Sequence, residues 1–188
     1  MPSRYIVVDK MNHCLRQIKK GESEPGAWET SSYAGECTVD GDIDNKRQIS
    51  RFDEPHDIEV QGNYLYLTDT NNRKIKRIDV GTELVDTVHQ SDNYGLWSFV
   101  FGAEEGEFYV TAPHGVLYIQ DQKETWLVGG YSASSSGQKT RFSGTRFLSP
   151  RDIQWADDNN LVVADSGAHV IKVIDLRLQQ AQEVCVGK

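Results

Sequence analysis

The feature that most constrains this chain is a template that recurs three times: Asp, a small or polar residue at +3, an aliphatic at +6, a basic residue at +7 and isoleucine at +9. The copies are Asp9, Asn12, Leu15, Arg16, Ile18; Asp69, Asn72, Ile75, Lys76, Ile78; and Asp165, Ala168, Ile171, Lys172, Ile174. Each Asp closes a run rich in strand formers, at 5–8, 64–68 and 161–164. A short turn and a second alternating run follow each time, which is the signature of a hairpin. Asp and Asn suit the turn because their side chains bond to nearby backbone. No segment carries helical periodicity.

A second element recurs upstream of two copies. Phe52-Asp53-Glu54-Pro55-His56-Asp57-Ile58 matches Phe147-Leu148-Ser149-Pro150-Arg151-Asp152-Ile153, and Gly35 and Gly130 each stand 17 residues before the Phe. The two prolines are 95 residues apart, which leaves room for one degenerate repeat with runs at 96–101, 107–111, 115–119 and 125–128. Four short strands at a period of roughly 47 residues define a β-propeller blade. The expected units are 1–37 (partial), 52–90, 95–130 and 147–188, in one domain over 1–188. The first unit has three strands, at 5–9, 14–19 and 28–34, and lacks the Pro-led innermost one. The expected fold is therefore all-β, a propeller of about four four-stranded blades. An open stack leaves apolar blade faces uncovered, so these blades are expected in a larger ring or in one completed by another subunit, with an unusual four-bladed closure as the alternative.

The run Pro55-His56-Asp57-Ile58, the segment 64–79 and the stretch 7–18 with its Asn12-His13-Cys14-Leu15-Arg16 core resemble the NHL repeat. The likeness covers nearly the whole chain and is weak over 91–130, where Ala112 replaces the Asp and the turn Pro113-His114-Gly115 is shortened. Extracellular animal NHL proteins pair the cysteine of such a core with one in a turn like Ala34-Gly35-Glu36-Cys37. The resemblance thus implies a Cys14–Cys37 disulfide and an exported protein; neighbouring antiparallel strands can reach the ~5.5 Å Cα spacing a disulfide needs. Two free cysteines in a reducing, cytoplasmic compartment are the alternative. Cys185 reads as a buried apolar residue of the last strand.

The formal net charge of −8 opposes nucleic-acid binding, which is dominated by phosphate neutralisation. Lys139, Arg141, Arg146 and Arg151 cluster in sequence but read as solvated loop charges. No run approaches the ~20 apolar residues of a membrane-spanning helix. The residues after Met1 also lack the apolar core of a secretory leader, so any such signal is expected outside this segment.

Candidate chemistry is sparse. His56 stands where propeller lyases carry zinc-binding histidines, yet the equivalent position is Arg151 in the last unit and Trp97 or Ser98 in the third. A catalytic zinc wants three protein ligands. Asp40, Asp42 and Asp44 open like a calcium loop, but Asn45 and Arg51 stand where that loop needs Gly and Glu. The expectation is no cofactor, with calcium or zinc as minor alternatives. Tyr94, Trp97, Tyr131 and Arg151 flank loops and are the candidate partner-binding residues, since aromatic and Arg side chains dominate interfaces. The expected function is a non-enzymatic scaffold presenting a rigid loop face to a protein or glycan, within an extracellular assembly. A propeller metalloenzyme completed by further blades and an RNA-binding NHL domain are the alternatives.

Overall fold

The computed structural model describes residues 4–21, 26–130, 142 and 146–184. The described residues form four antiparallel meanders. The first has three strands, β1 (Arg4–Asp9), β2 (Cys14–Lys20) and β3 (Trp28–Ala34). The second contains β4 (Pro55–Gln61), β5 (Tyr64–Asp69), β6 (Lys74–Asp79) and β7 (Val85–Gln90). The third contains β8 (Phe99–Phe101), β9 (Phe108–Ala112), β10 (Gly115–Gln120) and β11 (Lys123–Gly129). The fourth contains β12 (Pro150–Asp157), β13 (Asn160–Asp165), β14 (Val170–Asp175) and β15 (Gln180–Val184).

The repeated template is the hairpin between the second and third strands of a full sheet. Its +4 residue is left-handed in every copy: His13 (φ 56), Arg73 (φ 57) and His169 (φ 57). That conformation is uncommon outside glycine and lets the chain reverse, so that Asp69 pairs with Lys74 and Asp165 with Val170. In the third sheet Ala112 pairs directly with Gly115, a turn two residues shorter. The run expected to start a strand at Leu96 becomes regular only at Phe99.

The chain divides into two compact units, Met1–Gln90 and Ser91–Lys188. In the first, the Ile6, Val8 and Leu15 face of the first sheet packs on the Leu65, Leu67 and Ile78 face of the second. In the other unit, Tyr109 and Val116 of the third sheet pack on Leu161, Val163 and Ile174 of the fourth. Full burial of a side chain such as Leu15, Leu67 or Leu161 is worth about 1.5–3 kcal/mol.

The template's Asp and its +7 base turn out to be partners. Asp165 and Lys172 are fully buried and meet at 2.6 Å. Asp165 Oδ1 also accepts the Ser149 N–H at 2.8 Å and the Leu148 N–H at 3.2 Å, while Lys172 donates to the Arg146 carbonyl. Asp69 likewise accepts the Asp53 N–H at 2.6 Å and lies 3.3 Å from the buried Lys76. Each pair therefore fastens its hairpin to the connection that delivers the Pro-led innermost strand. Burial alone would raise the Asp165 pKa, but Lys172 and the two N–H groups hold it below the ordinary carboxylate value. Asp9 and Arg16 form the same contact, half-buried, at 2.5 Å. In the third sheet Ala112 and the register-equivalent Leu117 replace the pair with two buried apolar side chains.

Candidate functional site

The innermost strands enter their sheets irregularly. The ladder slips between Pro55 and Ile58 in β4 and between Pro150 and Asp152 in β12, and β8 becomes regular only at Phe99. Local interruptions of this kind re-aim a side chain out of the pleat. The residue placed at the irregularity is His56, Trp97 or Arg151 in the second, third and fourth sheets respectively. The next residue satisfies the backbone there. Asp57 caps the Ile58 N–H with its carboxylate, and Asp152 does the same for Ile153. Ser98 donates to Asp152 at 3.0 Å, joining the third sheet to the fourth at this end. Thr68 and Thr111 hydroxyls accept the N–H groups of Asp57 and Ser98.

This scaffold holds Trp97 and Arg151 together. The Arg151 guanidinium lies 3.7 Å from the centre of the half-buried Trp97 ring, well within cation–π range. Arg151 is exposed, and no carboxylate among the described residues pairs with it. Tyr94 stands edge-on to the buried Trp126 ring at 5.1 Å, so it belongs to a neighbouring aromatic stack. Three of the four candidate partner-binding residues thus lie in the second unit; Tyr131 is outside the described residues. Lys139, Arg141 and Cys185 are also outside them.

The metal candidates are held apart. His56 is a half-buried residue of β4. Asp42 and Asp44 meet the Lys76 ammonium at 2.8 and 3.1 Å, and Asp42 also meets Lys74. Asp40 is exposed and none of these contacts reaches it. The loop therefore directs two of its three carboxylates at a lysine. Burial pulls the Lys76 pKa down, but Asp42, Asp69 and Asp44 outweigh it and leave it raised. Among the described residues, no three His, Cys, Asp or Glu side chains are grouped to hold a metal ion.

Cys14 and Cys37 form a disulfide with Cα atoms 5.0 Å apart. It ties the start of β2 to the turn after β3, where Gly35 adopts φ 80 beneath Phe52.

One feature was not legible as a site. Phe101, Tyr109, Trp155 and Leu176 line a cleft of about 570 Å³ at the other end of the innermost strands. Trp155 is 37% exposed and donates its indole N–H to the Phe101 carbonyl. Glu107 sits at its edge, its acidity strengthened against burial by the Glu104 N–H and two tyrosine hydroxyls. In the sequence, Trp155 differs little from a core strand residue; its partial exposure at the cleft appears only in the fold.

No family model matches the chain, and no curated protein matches it. Solved structures do. The WD40 β-propeller domain of Doa1 is 15% identical, with 95% of this chain aligned to 64% of that one at a TM-score of 0.56. Virginiamycin B lyase from Staphylococcus aureus is 10% identical, with 99% aligned to 60% at a TM-score of 0.52. The fold is a β-propeller. The chain spans 64% and 60% of the lengths of those two structures. At these identities the likeness concerns architecture, and the lyase's chemistry does not come with it.

Proposed function

We propose that this chain is a non-enzymatic protein-binding module of the NHL type, working in an oxidising, extracellular setting. The observation that carries the reading is the Arg151–Trp97 stack, an exposed guanidinium pre-oriented on an indole at the bulged entry of an innermost strand. Ordering an arginine on binding costs rotamer entropy, and stacking it beforehand reduces that cost. The guanidinium's remaining donors suit a carboxylate, bound through two parallel hydrogen bonds. The favoured partner is therefore a protein segment carrying Asp, Glu or a free C-terminus. The NHL assignment is supported by the template and its Pro-led strand, and the extracellular setting by the Cys14–Cys37 bond, because such bonds persist in oxidising compartments.

The test is titration of the chain with a capped hexaglutamate peptide, monitored by two-dimensional NMR of the indole and Arg Nε–H signals. The Trp97 and Arg151 signals are expected to shift together, and Arg151→Ala to abolish saturation. Equal binding by the wild type and by Arg151→Ala and Trp97→Ala variants would overturn the proposal.

A further inference from the structure

The repeat allows each sheet face to be compared with its counterparts. Two intra-unit contacts show how consecutive sheets pack. In the first unit, Ile6, Val8 and Leu15 are the giving face, and Leu65, Leu67 and Ile78 the receiving one. In the second unit the register-equivalent residues do the same work. Tyr109 and Val116 stand at the positions of Ile6 and Leu15, while Leu161, Val163 and Ile174 stand at those of Leu65, Leu67 and Ile78. One sheet-on-sheet interface is thus used twice.

Among the described residues, the first and last sheets each show one half of that interface with exposed side chains. The receiving face of the first sheet carries Tyr5, Val7 and Ile18 at the equivalent positions, with Trp28 beside Tyr5 at 5.9 Å. Tyr5 is 54% and Trp28 52% exposed, whereas Leu65 and Leu161 are buried. The giving face of the fourth sheet carries Val162, Ala164 and Ile171, at the positions of Ile6, Val8 and Leu15. Leu15 is fully buried; Ile171 is 37% exposed. A shallow cleft of about 610 Å³ opens on this face, lined by Ala164, Ile171 and Val184 among others.

We infer that the fourth sheet of one copy of this chain docks on the first sheet of a second copy, head to tail, reproducing the contact already made twice within each chain. The two exposed faces match by register and by side-chain class: β-branched and small residues on one, with aromatic and aliphatic residues on the other. A contact between two different faces is heterologous, so it adds copies until a ring closes or, where the rotation does not close, extends as a filament. The inference is independent of the Arg151 site, which uses neither face.

Native mass is measured for the 188-residue chain across protein concentration. Association in the micromolar range is expected, giving at least two copies per particle at about 100 µM. Tyr5→Glu blocks the receiving face and Ile171→Glu the giving face, and each variant alone is expected to be a single chain. Mixed in equal amounts, they form a heterodimer and nothing larger, because one intact face remains on each. Trp28→Glu and Val184→Glu repeat the design should either first variant melt early. A wild type that stays a single chain at about 100 µM overturns the inference. So does a mixture that fails to pair, or a variant that still dimerises alone, since both point to a self-complementary contact instead.

Discussion

The Asp165–Lys172 pair can be taken apart one charge at a time, and the consequences follow from its surroundings. Lys172→Met removes the ammonium but leaves Asp165 fully buried, still accepting the Leu148 and Ser149 N–H groups. Stranding one partner of a buried ion pair costs about 3–5 kcal/mol. Asp165→Asn with Lys172→Met removes both charges while an amide oxygen can still accept from Ser149. The double variant is expected to be more stable than Lys172→Met alone, with a coupling of about 2–3 kcal/mol. The third sheet is the natural precedent, because Ala112 and Leu117 fill the same two positions without charge. Urea unfolding followed by tryptophan fluorescence reports mainly on the right unit, since three of the four tryptophans, Trp97, Trp126 and Trp155, lie beyond Gln90. The pH dependence gives a second reading. In the wild type the Asp165 pKa is depressed, so its contribution is present above the unfolded carboxylate value, about 3.9, and is lost as pH falls through the folded value. Without Lys172, burial should raise that pKa, so the gap between wild type and Lys172→Met should narrow on acidification. Single and double changes that add within about 0.5 kcal/mol, or a gap that does not vary with pH, would refute the reasoning.

Three further outcomes are expected. Titration of the unfolded, unreduced protein should find one reactive thiol among the three cysteines, and three would contradict the Cys14–Cys37 bond. Replacing both paired cysteines with serine should lower the first unit's stability by about 3 kcal/mol, from the entropy of a 23-residue loop, read as a lower urea midpoint. Gly129→Ala should destabilise the second unit by at least about 2 kcal/mol, because φ is 84 there and an added Cβ would meet the His114 carbonyl at 2.4 Å; an unchanged midpoint would show that the β9–β10 turn beside it can relax.

Much of the architecture is local and therefore readable. The three hairpins are specified within about ten residues by an Asp, a turn and an alternating run, and the +4 residue adopts its left-handed turn conformation each time. The three-stranded first sheet of the described residues and the short third-sheet turn are equally visible, because both depart from a repeating pattern. The template alone could not reveal why its Asp and +7 base occur together. Asp69 reads as a turn residue and Lys76 only as the template's basic position until the fold buries both beside the Asp53 N–H.

The site was legible only by residue type. Trp97 and Arg151 are 54 residues apart, and nothing in that spacing says their side chains stack. Their contact depends on two irregular strand entries lying side by side, which is a property of how the third and fourth sheets pack. Asp42 and Asp44 illustrate the converse: their spacing suggested a metal loop, and tertiary structure supplied a lysine ammonium 34 residues away from Asp42 instead. Sequence determined what repeats along the chain, because turn and pleat preferences act over a few residues. Which charges are buried, which rings stack and which faces remain open were decided by packing between sheets, since those contacts join residues that the chain itself keeps far apart.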